Sequence, residues 1–342
     1  MNYIKKSLTG TKPYEPNTYQ VSIKLDANET KNYLFKEGFD TRHLDLSLYP
    51  DPNANALKQK LSQVLNVETN QIEIGNGSSE LIDLIIKTFV EPQEKILGFE
   101  PSFSMYQIYS KTNGANYISV PSEIDLSQNI DLMISYAKEF KPNLIILCSP
   151  NNPTGYVIPE EEIIRLIQHV DCLVVLDEAY IEFSDLNQSL IRKINIYPNL
   201  MILRTFSKAY GLAGIRLGYM VASKNLISNV NQVSAPYRVN QVSQQIGELA
   251  LYKEKEVKTF IQNIKNERKR LMESLIELKV NVYPSDGNFI FFQSDVNNLF
   301  EKLVEKDILI RAWNGNLKGY FRVTIGQIEE NNAFINAMKE IL

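Results

Sequence analysis

Four short strings in this chain gather side chains that could do chemistry together. In "RTFSKAYGLAGIRLGY" (204–219), Lys208 sits between a serine and a run of small residues, with Arg216 eight positions on. A primary amine held at the end of an apolar run is a nucleophile toward an aldehyde or ketone. In "CLVVLDEAY" (172–180), Asp177 closes a run that should be buried, and Tyr180 follows three residues later. A buried carboxylate is costly unless it meets a cation, either a structural arginine or lysine or a positively charged ligand atom. "SPNNPTG" (149–155) offers asparagine amides, Asn152 among them, although its prolines also suit an ordinary turn. "GNGSSE" (75–80) brings Gly77, Ser78 and Ser79 to a predicted helix start, where backbone amides can take an anion. The same string would also serve as a plain N-cap with a glycine turn. Taken alone, Arg311 in "LIRAW" and Arg322 in "FRVTIG" read as solvated or salt-bridged residues.

The elements that must position these residues alternate in period. "QIEIG" (71–75) reads as a strand, and "SSELIDLIIKTFV" (78–90) places Leu81, Leu84, Ile85 and Val90 at helical spacing. "KILGF", "NLIILC", "CLVVLD" and "LMILR" are continuous apolar runs of strand length, the pattern of strands covered on both faces. Helical segments such as "EEEIIRLIQHV" (160–170) separate them, which predicts an α/β fold with a large, mostly parallel sheet. From about residue 245 a charged amphipathic helix (253–279) leads into further strands and helices. The expected organisation is an N-terminal arm over 1–29 packed with the small domain, a large α/β domain over 30–245, and a small α+β domain over 246–342. Ligands of open α/β sheets bind beyond the carboxyl ends of the strands, and each string follows a predicted strand.

A lysine, a carboxylate, an amide, hydroxyls, an arginine and an anion-binding helix start on one cleft fit pyridoxal 5′-phosphate. Its aldehyde needs a lysine, its ring nitrogen a carboxylate, and its phosphate amides, hydroxyls and a cation. The order and spacing of "SPNNPTG", "LDEAY" and "RTFSKAYGLAGIRLGY" resemble the class I/II aminotransferases of PLP-dependent transferase fold type I, over essentially the whole chain. That family implies a large seven-stranded-type sheet domain and a smaller α+β domain. "KLDANE", "YPDP", "GNGSSELI" and "FRVTIG" are similar to the histidinol-phosphate aminotransferases within it. The resemblance implies that Lys208 is the Schiff-base lysine, that Asp177 pairs with the ring nitrogen, and that Asn152 and Tyr180 contact the phenolic oxygen. Gly77, Ser78, Ser79, Ser207 and Arg216 would hold the cofactor phosphate, and Tyr106 would stack on the ring. Tyr49 would reach the cofactor phosphate of a neighbouring subunit, which implies a homodimer with shared sites. Tyr14, Asn28, Asn152, Arg311 and Arg322 would contact substrate.

The implied reaction moves an amino group between L-histidinol phosphate and 2-oxoglutarate, giving imidazole acetol phosphate and L-glutamate, in histidine biosynthesis. Threonine-phosphate decarboxylation and aromatic amino-acid transamination are the alternatives on the same fold. The chain departs from the family in having Ser79 where an aspartate is common, and in lacking a proline after Arg311. A net charge of −4 gives no footprint for nucleic acid, and no apolar run approaches the roughly 20 residues of a membrane span. The amino terminus lacks the apolar core of a signal peptide, and Cys148 and Cys172 lie in strand-like runs as expected buried thiols, so a cytoplasmic location is expected. With only His43 and His169, neither beside a ligand-spaced neighbour, a zinc site or a serine–histidine hydrolase is poorly supported, and no metal is expected.

Overall fold

The computed structural model describes residues 3–5, 8–9, 17–40, 42, 44, 46–186 and 189–342. A short strand, β1 (Ile23–Leu25), and a helix, α1 (Asn55–Leu65), precede the alternating region. There, β2 (Ile72–Gly75), β3 (Lys95–Glu100), β4 (Asn116–Pro121), β5 (Leu144–Cys148), β6 (Leu173–Asp177), β7 (Leu200–Thr205) and β8 (Gly218–Ala222) form one sheet. Its order is β2-β8-β7-β6-β5-β3-β4. The pairs from β7 through β4 are parallel, whereas β8 runs antiparallel to both β2 and β7. The expected seven-stranded, mostly parallel sheet is therefore present.

Its central strands show why they read as unbroken apolar runs. Leu144, Ile146 and Cys148 of β5 pack into one core while Ile145 and Leu147 pack into another, and β6 and β7 divide their residues in the same way. Successive side chains of a strand point to opposite faces, so a sheet with two covered faces needs apolar residues at every position. By the same alternation Asp177 and Thr205 follow the Cys148 side, and Cys148 lies in register beside Asp177. The helices α2 (Ser78–Phe89) and α3 (Met105–Asn113) cover that side, burying Leu81, Ile82, Ile85 and Tyr106. The sheet's carboxyl edge is thus roofed by two helix starts.

Further helices, α4 (Ile130–Phe140), α5 (Glu160–His169), α6 (Lys224–Val233) and α7 (Gln241–Ala250), complete the large unit. The long α8 (Glu254–Glu277) then leads to β9 (Asn281–Tyr283), β10 (Phe289–Gln293), α9 (Leu299–Glu305), β11 (Ile308–Ala312), β12 (Tyr320–Thr324) and α10 (Ile328–Ile341). The second sheet has the order β1-β11-β12-β10-β9, with β1 parallel to β11, so residues of the N-terminal arm enter the small domain as a strand.

The boundary differs from the expected change at 245. Ala250, Leu251 and Val257 belong to the core of the large sheet, whereas Ile264, Leu271 and Leu275 belong to the small-domain core. One helix, α8, passes from one core to the other. The composition shift near 245 reports the long exposed face of that helix, not the place where packing changes hands. Among the described residues no helix is long and apolar enough to cross a membrane.

Candidate active site

A cavity of about 480 Å³ opens beyond the carboxyl ends of β5, β6 and β7, with walls from both domains and the N-terminal arm. At one end lies the start of α2. Gly77, its N-cap, has φ +82, and a Cβ built there would stand 2.8 Å from the Arg216 guanidinium. At Gly218 a Cβ would lie 2.4 Å from the Ser78 nitrogen, so β8 can pass this helix start only as glycine. Ser78 and Ser79 line the cavity in the first turn of the 12-residue helix, where backbone amides and the helix dipole favour an anion. Across from them the Ser207 amide donates to Thr205 Oγ1 at 3.1 Å, which fixes the loop carrying the Ser207 hydroxyl. Arg216 is held in the left-handed region at φ 51, with Nη1 donating to the Ala213 carbonyl at 3.3 Å. This cradle has the donors and the cation that a phosphate needs.

At the other end stands Asp177, only 3 % exposed. Its Oδ2 accepts from the Tyr106 hydroxyl at 2.7 Å and its Oδ1 from the Ala179 amide at 3.1 Å. Burial pushes the carboxyl up to about 6, and these two donors oppose the rise. An electron-poor ring nitrogen carrying a proton would offset the cost of burying that charge.

Lys208 lies between these ends. Its Nζ donates to the carbonyls of Ala27 and Asn28 at 3.1 and 3.2 Å, and it stands 5.6 Å from the centre of the Tyr180 ring. Burial lowers its amine to about 7, assisted by the Arg322 and Arg216 cations and opposed by Glu29 and Asp177. A lysine of this basicity is a competent nucleophile and a competent proton carrier near neutrality. Tyr180 is buried, its hydroxyl pushed up to about 12 by desolvation, and that oxygen accepts from Asn28 Nδ2 at 3.1 Å. A phosphate cradle, a buried carboxylate and a depressed lysine on one cavity fit pyridoxal 5′-phosphate.

The third wall belongs to the small domain. Arg322 on β12 donates through Nη1 to Asn152 Oδ1 and through Nη2 to the Asp26 carbonyl, the latter at 2.6 Å. Arg311 on β11 lies directly opposite Arg322 in the antiparallel register and also lines the cavity. Asp26, another lining residue, accepts at Oδ2 from Asn17 Nδ2, while its buried Oδ1 has no partner among the described residues.

Tyr106 lines the cavity, 1 % exposed and with its hydroxyl committed to Asp177. Phe103 of the same "EPSFSMY" string also lines the cavity; it precedes α3 and meets Tyr106 edge-on at 5.5 Å. Asn28 does not touch the cavity as a substrate ligand would. It is 1 % exposed at φ 53, and its atoms join Tyr180, Lys208, Asn288 and Thr324. It is a buried knot between arm and domains. Tyr49 is 81 % exposed, stacked on Tyr237 at 4.6 Å, and lines no part of its own chain's cavity. Tyr14 lies outside the described residues. Trp313, beside both small-domain arginines and just past the end of β11, was not singled out by sequence reasoning.

Residues 24–338 match the model of the family described as aminotransferase class I and II. The histidinol-phosphate aminotransferase of Caldanaerobacter subterraneus subsp. tengcongensis is 38 % identical over 350 aligned residues, covering 100 % of this chain and 99 % of that one. The crystal structure of the histidinol-phosphate aminotransferase from Clostridium acetobutylicum superposes with a TM-score of 0.86 at 26 % identity, covering 93 % of this chain and 98 % of that one. The Sinorhizobium meliloti histidinol-phosphate aminotransferase, solved with pyridoxal-5′-phosphate, shares the fold with a TM-score of 0.87 at 23 % identity, over 94 % and 91 % of the two chains.

Proposed function

We propose that this chain, which belongs to the class I and II aminotransferase family, transfers the amino group of L-histidinol phosphate to 2-oxoglutarate, giving imidazole acetol phosphate and L-glutamate, and runs the same transfer in reverse. The full-length similarity to histidinol-phosphate aminotransferases supports this reading. Pyridoxal 5′-phosphate supplies the aldehyde that accepts the amino group and the ring that draws electrons from the reacting carbon. The amides of Ser78 and Ser79, with Ser207 and Arg216, would hold its phosphate. Asp177 would keep a proton on its ring nitrogen, and Asn152 and Tyr180 would contact its phenolic oxygen. Lys208, with its basicity lowered to about 7, can take a proton from a carbon acid and return it at neutral pH. The Ala27 and Asn28 carbonyls aim the amine while it waits.

The observation that carries the substrate is the placement of Arg311 and Arg322 at directly opposed positions on the cavity wall. Like charges directly opposite across a strand pair destabilise a sheet unless something lies between them. A phosphate monoester bears up to two charges and three acceptor oxygens, enough to engage two guanidinium forks. The α-carboxylate of glutamate would need only Arg322. Replacing Arg311 by alanine should therefore damage the reaction with L-histidinol phosphate by about tenfold or more while sparing the reaction with glutamate. Equal losses on both amines would remove Arg311 from the phosphate pocket.

The exposed Tyr49 supports a shared site. With Leu46 and Leu48 it forms an apolar surface of the single chain, 71 % and 68 % exposed at the two leucines. Burying that surface against a second copy would bring Tyr49 to the partner's cofactor phosphate. The reaction belongs to histidine biosynthesis, a cytoplasmic process.

A further inference from the structure

We infer that Trp313 is the positioning residue of the phosphate grip. Its indole braces the guanidiniums of Arg311 and Arg322 so that both face one dianionic group. This inference rests on the phosphate-pocket reading above and names the residue that makes the pocket selective.

Three side chains share one face of the small-domain sheet by register. Phe291 of β10 pairs with Arg322 of β12, and Arg322 pairs with Arg311 of β11. Trp313 follows the last residue of β11, and its ring meets Phe291, Arg311 and Arg322. The Arg311 guanidinium carbon lies 5.9 Å from the Trp313 ring centre and that of Arg322 5.8 Å from it. Two cations thus flank a single indole. The negative face of an aromatic ring attracts a guanidinium, most strongly where water is displaced. The indole offsets part of the repulsion that the opposed arginines would otherwise meet in the cavity wall.

The ring has a fixed bearing of its own. It meets Phe291 edge-on, with centres 5.6 Å apart and planes at 84°. Phe291 is fully buried and stacked on Tyr320 at 5.4 Å. Arg322 is tethered besides by Asn152 and the Asp26 carbonyl. The indole meets both cations. Removing it would let the forks separate, which matters for a phosphate that needs both and little for a carboxylate that needs one.

The test uses inorganic phosphate as probe, on the cofactor-loaded enzyme, so that the cofactor's own phosphate site is filled. Phosphate is measured as a competitive inhibitor of the half-reaction with L-glutamate, in wild type, Trp313→Ala and Trp313→Phe. Trp313→Ala should weaken phosphate inhibition about tenfold, which corresponds to about 1.4 kcal/mol, while glutamate kcat/KM stays within about threefold. Trp313→Phe should recover phosphate affinity to within about threefold of wild type. With L-histidinol phosphate, Trp313→Ala should raise KM far more than it lowers kcat. Phosphate inhibition unchanged in Trp313→Ala, or weakened in step with glutamate kcat/KM, would overturn the inference. Trp313 is the only tryptophan of the chain, so phosphate binding to wild type should also change the intrinsic fluorescence. Saturating phosphate that inhibits the enzyme without altering that emission would count against the inference even if the alanine variant fails to fold. A tryptophan-dependent phosphate grip in an enzyme that does not turn over L-histidinol phosphate would overturn the proposed substrate alone.

Discussion

The lowered basicity of Lys208 can be tested on the cofactor-free protein by titrating its reactivity. An ordinary lysine with a pKa of 10.5 is neutral in only about one molecule in 3,000 at pH 7. At the depressed value of about 7, roughly half of the Lys208 amines are neutral there, a gain of about 1,500-fold in the reactive form. The assay mixes cofactor-free protein briefly with limiting pyridoxal 5′-phosphate, fixes the product with borohydride, and counts labelled Lys208 by peptide mapping. Labelling should rise about fivefold from pH 6 to pH 7 and level off above pH 8. The direction follows from the sign of the shift, because a lowered pKa makes the amine neutral above about pH 7 rather than above 10. Two variants carry opposite signs. Arg322 lowers the pKa, so Arg322→Gln should move the midpoint up, and Asp177 raises it, so Asp177→Asn should move the midpoint down. Burial is the larger cause, so each displacement should stay below about one pH unit. Labelling that climbs without a plateau through pH 9, or that falls mainly on another lysine, would refute the reasoning.

Asp177→Asn should keep the phosphate cradle but lose the charge that holds a proton on the ring nitrogen. The cost should be several kcal/mol of barrier, or on the order of a thousandfold in the half-reaction rate, and near-normal turnover would remove Asp177 from that role. Asn28→Ala should lower stability by about 1–3 kcal/mol in denaturant titration, because it removes the donor to the buried Tyr180 hydroxyl and the acceptor of the Thr324 hydroxyl. Asn28→Gly should cost less, since glycine accepts the φ of 53 without strain, and equal losses would show that the backbone conformation is unimportant there. Mixing inactive Lys208→Ala with inactive Tyr49→Ala should restore partial activity after subunit exchange, and an absence of complementation would place Tyr49 within its own chain's function.

Much of the site could be read from the chain because it lies at strand ends. Asp177 and Lys208 each follow a run of residues buried on both faces, and a charge at such a place is conspicuous against its apolar neighbours. The helix start at Gly77 announces itself through small residues that a tight approach requires. What could not be read depends on distant parts of the chain. Phe103 lies three residues before Tyr106 and lines the same cavity, a placement that the packing of α3 against β6 sets. Asn28 belongs to a motif that looks like a substrate contact, yet its partners Tyr180 and Thr324 come from residues 152 and 296 positions away. Trp313 acquires meaning only from the pairing of β11 with β12, which sets two arginines side by side.

The central claim is the identity of the amine, and a half-reaction screen tests it most directly. Cofactor-loaded enzyme is mixed in turn with L-histidinol phosphate, L-phenylalanine, L-tyrosine and L-threonine phosphate, and amino-group transfer is followed by absorption while carbon dioxide is monitored. L-Histidinol phosphate should react with a kcat/KM at least about 100-fold above the two aromatic amino acids, because it presents a phosphate to Arg311 and Arg322 together with an amine to transaminate and they carry no phosphate. A faster reaction with either aromatic amino acid, or release of carbon dioxide from threonine phosphate, would contradict the claim.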